Sequence, residues 1–197
     1  MKKNFLIILF FTLLSVLLSF TSVHATDRHY WQNKQRELRY TPDGEDFVIT
    51  NGDKRFTRAI YGTNTGFRFE TSDFPEFGLY MPHLGGSLYM AIQTPSRTTW
   101  IKDMEFIESR FKSGQRTYIL KDKKHLGNGS LTVDAVALSD ADGFIVKYHA
   151  ENIPAGTKIL WIYGGASNES FSRSGDIGAD PSDSFFLKAK NCKGNTY

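Results

Sequence analysis

A small set of aromatic and polar side chains in this sequence could bind a sugar. Sugars present apolar C–H faces beside many hydroxyl groups, so their sites combine an aromatic platform with charged or amide groups. We select Trp100 as the aromatic residue, and Arg173 and Asp176 as its polar partners. Both polar residues fall in the glycine-, serine- and aspartate-rich stretch 164–181, and a loop of that length is often functional. The sequence therefore predicts these three as ligand-binding residues.

Most other aromatic side chains have a simpler explanation, because large rings usually fill a protein core. A few still qualify as candidates for an exposed platform. They are Trp31, Tyr61, Phe74, Tyr80 and Trp161.

Metal binding has little support in the sequence. The five histidines show neither an i,i+4 pair nor an HExxH motif, and Cys192 is the only cysteine. Asp176, Asp180 and Asp183 lie close together, and clustered carboxylates can bind calcium. Their spacing does not match an EF-hand loop, and a solvated acidic turn is the simpler interpretation. We predict no metal site and no cofactor, with calcium kept as the alternative.

No catalytic residue can be selected from the sequence. There is no G-x-S-x-G motif, and Gly164-Gly165-Ala166-Ser167 lacks the lysine of a phosphate-binding P-loop. Glycoside cleavage needs a pair of carboxylates, and any choice among the available ones is arbitrary. Those carboxylates are Glu70, Glu76, Glu105, Glu108 and Asp134.

The first 25 residues have the pattern of a secretory signal peptide. Lys2 and Lys3 precede an apolar run, 5–20, and Val23-His24-Ala25 supplies the small residues that a signal peptidase reads. A membrane anchor is the alternative, because the run is nearly long enough to span a bilayer. We predict an exported protein, periplasmic or extracellular, that has no membrane attachment after cleavage.

The charge of the chain argues against two classes of partner. The formal net charge is +3 and falls to +1 without residues 1–25. A nearly neutral domain has no electrostatic footprint for nucleic acid or anionic lipid.

The fold class follows from the rhythm of the chain. Apolar and aromatic runs too short for helices end at glycine, proline or other turn residues. Two stretches, 131–137 and 144–150, alternate between apolar and polar residues as strands do. We predict an all-β, antiparallel, supersandwich-like β-sandwich. The predicted domain boundaries are 1–25 for the signal peptide, 26–44 for a lead-in segment and 45–197 for the sandwich.

Several strand pairings can also be predicted. Asn51-Gly52 is a strong hairpin signal, with a returning strand over 54–61. The strands 98–101 and 106–111 form a second pair. The apolar run 158–163, KILWIY, is expected to be a central strand. Phe185–Lys188 begins one more strand, and the sequence stops soon afterwards. We therefore expect it to be the N-terminal part of a longer protein.

Several motifs resemble the family catalogued as DUF4450, a domain of unknown function. They are WQNKQRELRY from Trp31, FVITNG from Phe47, RFTRAIYGTN from Arg55, PEF from Pro75, LYMP from Leu79, GGAS from Gly164, and Arg173 with GDIG from Gly175. The resemblance covers the whole mature chain and carries no reaction by itself. It implies an exported protein of gut-type Bacteroidetes that degrades polysaccharides. It further implies similarity to lyases that remove rhamnose from glucuronate, in which a β-sandwich precedes a helical catalytic toroid.

The sequence and this resemblance together leave three functional hypotheses. The first is an N-terminal β-sandwich module that supports a helical catalytic domain and lines its glycan cleft. The second is a stand-alone glycan-binding module. The third is a polysaccharide lyase or glycoside hydrolase in its own right. We expect the first, in which the glycan and the C-terminal helical domain are the partners and this part of the protein is not catalytic alone.

Overall fold

The computed structural model describes residues 30–31, 34–35, 38–55, 57–81 and 84–167. The regular elements in these ranges are strands and one 3₁₀ turn, Ile101–Asp103. The fourteen strands are β1 Tyr30–Trp31, β2 Lys34–Gln35, β3 Thr41–Asp43, β4 Asp46–Thr50, β5 Arg58–Ile60, β6 Arg68–Thr71, β7 Phe77–Met81, β8 Leu84–Gln93, β9 Thr98–Trp100, β10 Phe106–Lys112, β11 Gln115–Lys121, β12 Ser130–Ala137, β13 Phe144–Glu151 and β14 Lys158–Ser167.

Twelve of these strands form two antiparallel sheets. Sheet I has the order β13-β12-β11-β10-β4-β3. Sheet II has the order β14-β8-β7-β6-β5, and β9 also pairs with β8. The predicted all-β sandwich is therefore confirmed. β1 and β2 pair with each other and belong to a separate unit, which ends at Leu38.

The core lies between the two sheets. Alternate residues of each strand point to opposite faces, and the apolar ones face this core. On β12 the buried residues are Leu131, Val133 and Ala135, as the period-2 pattern predicts. Rings from the two sheets meet edge to face, since Phe77 of β7 lies 6.0 Å from Tyr118 of β11 between ring centroids. This geometry favours aromatic packing beyond simple burial of area. The aromatic-rich sequence thus fills a core without disulfides.

The predicted Asn51-Gly52 hairpin is wrong. Strand β4 pairs with β3 and β10, whereas β5 belongs to sheet II. Asn51 has a positive φ of 48° and exchanges bonds with Ile107: its backbone N–H donates to Ile107 O, and its Oδ1 accepts from Ile107 N, both at 2.8 Å. The asparagine therefore ends the ladder with β10 and sends the chain to the other sheet.

The predicted pairing of 98–101 with 106–111 is also wrong. β9 pairs with β8 in sheet II, and β10 pairs with β4 and β11 in sheet I. The 3₁₀ turn at Ile101–Asp103 lies between them, with Ile101 buried in the core. A short link between strands therefore marks a change of sheet here.

The central position predicted for KILWIY stays a prediction. Within the described residues, the run forms part of β14, which pairs with β8 and is the last described strand at that end of sheet II. Its residues Leu160, Trp161, Ile162 and Tyr163 are exposed large apolar side chains.

The described residues contain no helix that is both long enough and apolar enough to cross a membrane. The predicted signal peptide and the predicted strand at Phe185–Lys188 lie outside the described residues. Both remain predictions.

Candidate functional site

Trp100 stands on the outer face of sheet II, the face turned away from the core. It is opposite Ala91 in the β8–β9 ladder and is 37% exposed. Its neighbour on this face is Tyr89, whose ring lies 6.0 Å from the Trp100 ring at an angle of 62°. The two rings meet edge to face, so the Trp100 ring is held in a fixed orientation. The exposed part of this pair is the kind of surface on which a sugar ring can stack.

A charged group is hydrogen-bonded to the Tyr89 member of this ring pair. Arg55 Nη2 donates to Tyr89 Oη at 2.9 Å and to Glu76 Oε2 at 2.7 Å, and Arg55 Nε donates to the other carboxylate oxygen. Glu76 is 2% exposed and also accepts from Ser72 Oγ at 3.0 Å. Such a two-pronged arginine–carboxylate pair fixes the guanidinium plane.

The pKa of Arg55 is raised despite its partial burial. Burial works against the charged form, but the hydrogen bonds and negative charge of Glu76 outweigh it. The guanidinium is therefore a permanent cation beside the rings. The side chain is 36% exposed, so its positive charge reaches the surface of the protein beside Tyr89.

Two aliphatic side chains extend the same face. Leu160 of β14 is opposite Ala91, and Ile162 is opposite Tyr89, so both point outward with the rings. Both are exposed. We call Tyr89, Trp100, Leu160 and Ile162 the outer-face patch. Its apolar residues come from three strands, β8, β9 and β14.

The carboxylates considered for glycoside cleavage are mostly bound to arginines. Glu70 lies 2.9 Å from Arg68, and Glu108 lies 2.6 Å from Arg110. Glu76 is held by Arg55, as described above. In all three, a guanidinium already engages the carboxylate oxygens.

Arg110 also contacts Asp43 and Asp46, at 2.7 Å and 3.0 Å. The hydrogen bonds that Arg110 donates to Glu108, Asp43 and Asp46 raise its pKa. This cluster joins β3, β4 and β10 on the outer face of sheet I. It is explained as a cross-strand ion network, with one cation shared by three carboxylates.

The predicted site is only partly within the described residues. Trp100 is placed, whereas Arg173, Asp176 and the candidate calcium ligands Asp180 and Asp183 lie outside them. Among the residues that are described, no three His, Cys, Asp or Glu side chains are grouped to hold a metal ion. The predictions for Arg173, Asp176 and calcium therefore stay predictions.

Other aromatic candidates divide between core and surface. Tyr80 is buried and Phe74 packs against the core, whereas Tyr61 is 64% exposed and Trp161 is 68% exposed. Sequence reasoning missed Tyr89, which contacts Trp100, and Arg55, which bonds to the Tyr89 hydroxyl. The one usable signal was Glu76, a charged residue directly before the buried Phe77.

Comparison with known proteins places the chain in a family. The model of the family described as Domain of unknown function (DUF4450) matches residues 81–197, which is more than half of the sequence. The matched region includes Trp100, Arg173 and Asp176. No curated protein and no solved structure matches the chain. The chain belongs to the DUF4450 family.

Proposed function

We propose that this chain is the N-terminal β-sandwich module of an exported polysaccharide-degrading protein. In that protein it supports a helical catalytic domain and lines the glycan cleft. The observation that supports the proposal best is the exposed Trp100–Tyr89 ring pair beside the fixed guanidinium of Arg55. A stacking ring next to a permanent cation suits a glycan that carries a carboxylate, such as a uronate.

The outer-face patch also suits contact with a second domain. Leu160 and Ile162 lie on the same face as the rings and are exposed. Exposed apolar side chains grouped on one surface are a feature of interaction sites. A helical domain placed over Leu160 and Ile162 would leave the rings of Trp100 and Tyr89 at the border of the contact, where a cleft would form.

The glycan part of the proposal can be tested by binding. The chain is titrated with rhamnose- and uronate-containing polysaccharides and with neutral glucans, and binding is followed by calorimetry. We expect binding to the uronate-containing polymers, with about a tenfold loss in Trp100→Ala, because removing a stacking ring costs of the order of 1.5 kcal/mol.

Tyr61→Ala is the matched control, because Tyr61 is also an exposed aromatic residue but follows β5, at the opposite side of sheet II. Equal losses in both variants, or no binding to any polymer, would overturn the glycan part. The domain part is tested by sequencing the gene past codon 197. A reading frame that continues into a helical domain is expected, and a stop codon there would overturn it.

A stand-alone glycan-binding module is the second candidate. It is favoured by the fact that Trp100, Tyr89, Arg55 and Glu76 all belong to one unit of the structure. In this candidate the chain binds the glycan by itself. A glycan should therefore raise the unfolding temperature of the isolated chain by as much as it raises that of a longer protein that contains the chain.

A further inference from the structure

A polar groove lies at the edge of sheet I where β3 pairs with β4. Its volume is about 540 Å³, and its lining belongs entirely to the unit that begins at Arg39. We call it the edge groove. The lining combines charged side chains with two threonine hydroxyl groups: Arg39, Thr41, Asp43, Thr50, Glu108 and Arg110. Val48 contributes an apolar surface between them.

The groove forms because β3 is shorter than its neighbour. The ladder between these strands ends where Thr41 is opposite Val48, whereas β4 continues to Thr50 and pairs there with β10. The chain before β3 turns towards sheet II, because the side chains of residues 39–40 both bond to the buried Asp73. This turn leaves open space beside the last residues of β4.

The strand register brings the polar groups of the groove together on the outer face of sheet I. Thr50 is opposite Glu108 in one row. In the next row on that face, Val48 is opposite Arg110 on one side and Thr41 on the other. Side chains that are opposite each other in an antiparallel ladder are only about 5 Å apart at Cβ. One small ligand can therefore contact both rows.

The charged groups of the groove hold one another in place. Arg110 donates from Nε to Glu108 Oε1 at 2.6 Å and from Nη2 to Asp43 Oδ2 at 2.7 Å. Its Nη1 donates to Asp46 at 3.0 Å. The second oxygens of Glu108 and Asp43 have no partner among the described residues. The ion network thus fixes carboxylates that still have oxygens to offer as acceptors.

Donor groups lie beside these acceptors. The Arg39 side chain is 43% exposed, and within the described ranges only its Nη2 is bonded, to Asp73. The hydroxyls of Thr41 and Thr50 have no bond to any residue in that part of the chain, and a hydroxyl can both donate and accept. A ligand hydroxyl can bond to every one of these groups. An ammonium group can only donate, so it would leave the arginine unmatched.

Charge and size narrow the choice of ligand. Arg110 brings one positive charge to the ion network and its partners bring three negative charges, so the network has a formal charge of −2. Such a site disfavours a uronate or any other acidic sugar. A cavity of about 150 Å³ holds one benzene ring, so the groove has room for two or three sugar rings.

We propose that the edge groove binds a neutral saccharide of two or three units. Its hydroxyls bond to Thr41, Thr50 and the free oxygen of Glu108, and the C–H face of one ring packs on Val48. This inference goes beyond the proposed function, because the groove is on the other sheet and selects uncharged sugars. The outer-face patch, in contrast, suits a uronate.

The first test maps binding on the unsubstituted chain by NMR, from the backbone N–H signals. The probes are neutral trisaccharides of galactose, arabinose or rhamnose, together with trigalacturonate and tetralysine. We expect a neutral trisaccharide to shift the signals of residues 48–50 and 108–110, with a weaker response to trigalacturonate. No shift there with any neutral trisaccharide, or an equal or stronger response to trigalacturonate, would overturn the proposal. A response to tetralysine alone would identify a site for cations and would also overturn it.

The second test removes the two hydroxyls without touching the ion network. Thr41→Val/Thr50→Val should weaken binding of the neutral trisaccharide at least about fivefold, because two hydrogen bonds are lost. Thr132→Val is the matched control, since Thr132 is on the same face of sheet I but on β12, three strands away from β4. It should bind as the parent does. An equal loss in the control, or no loss in the double variant, would contradict the assignment.

The failure of this inference can be distinguished from the failure of the proposed function. The edge groove is read from signals of β4 and β10, whereas the outer-face patch is read from the effect of Trp100→Ala on polymer binding. If only Trp100→Ala weakens binding and the groove signals do not move, this inference alone is overturned. If a neutral trisaccharide moves the groove signals and Trp100→Ala has no effect on any polymer, the inference stands and the glycan part of the proposed function fails.

Discussion

The guanidinium of Arg116 lies 3.9 Å from the carboxylate of Asp73, and both side chains are fully buried. Arg116 belongs to β11 in sheet I, whereas Asp73 follows β6 in sheet II. Arg116 Nη2 donates to Ser72 O and Tyr40 Oη, both at 2.6 Å, but Nε and Nη1 have no partner among the described residues. The buried charge of Arg116 therefore depends on Asp73.

Asp73→Asn should destabilise the protein by about 3–5 kcal/mol, because it leaves a buried guanidinium without its counter-charge. The double variant Asp73→Asn/Arg116→Met should lose less stability than the sum of the single variants, because the buried guanidinium is gone and Arg39, which also binds Asp73, is 43% exposed to water. Urea denaturation of the four proteins measures this coupling. A coupling energy below about 0.5 kcal/mol would show that the two residues act independently.

Gly62→Ala should be severely destabilising. A Cβ at this position would lie 1.8 Å from the carbonyl oxygen of Leu138, which is backbone and cannot rotate away. We expect a loss of at least about 3 kcal/mol in the free energy of unfolding. Gly114→Ala is the control, because its Cβ meets open space and only its φ of 79° is unfavourable, at about 1 kcal/mol. Similar losses in both variants would contradict the close approach.

Asp122 should make the stability depend on acid pH. Its carboxylate accepts from the backbone N–H groups of Lys124 and His125, at 2.9 Å and 3.0 Å. Burial pushes its pKa upward, but hydrogen bonds and charge from His125 outweigh this and lower the pKa below the ordinary 3.8. The stabilisation is therefore present above pH 3.8 and is lost as the pH falls through the lowered value.

Asp122→Asn should accordingly lower the free energy of unfolding by about 1–2 kcal/mol at neutral pH. In acid, the difference in stability between the variant and the parent should disappear. Denaturant titrations over a range of pH measure both. Asp53→Asn is the control, because that carboxylate is exposed and its ion pair with Lys54 should not affect stability. A gap that is constant with pH would show that the Asp122 charge is unimportant.

Tyr148 should make the protein sensitive to alkali. Partial burial in the apolar cleft that Leu79, Val146 and Trp161 also line raises its pKa to about 12, from an ordinary value of 10. A raised pKa means that the stabilisation is complete below pH 10 and is lost between pH 10 and 12, as the buried phenol is forced to ionise. Tyr148→Phe should reduce this alkaline loss, whereas Tyr61→Phe, at an exposed position, should not. Unfolding titrations across this range measure the difference, and identical profiles would contradict it.

The sequence predicts the strands better than their partners. The alternation of Leu131, Val133 and Ala135 is a local property, and it correctly identifies β12 and its inner face. Pairing depends on residues far apart in the chain. Asn51-Gly52 has the composition of a hairpin turn, but the asparagine side chain bonds to Ile107 instead. No local pattern distinguishes these two uses of the same dipeptide.

The candidate site shows the same limit. Trp100 could be selected because of its type, but Tyr89 becomes its neighbour, and Arg55 the partner of Tyr89, only through the folding of sheet II. Likewise, the apolar run in β14 indicates a strand but does not show that β8 is its neighbour. Composition indicates that a segment can be buried, whereas its place in a sheet depends on which other strands pair with it.

The bond between Asn51 and Ile107 joins residues 56 positions apart, and the intervening chain contains β5 to β9, all but one strand of sheet II. β3 and β4 can therefore join the rest of sheet I only after this long loop has closed. Closing the loop costs less entropy once the chain within it has collapsed. Such distant pairings raise the contact order and slow folding. The hairpins from β10 to β13 have local contacts and should form early, and the ladder between β4 and β10 should be among the last steps to native structure.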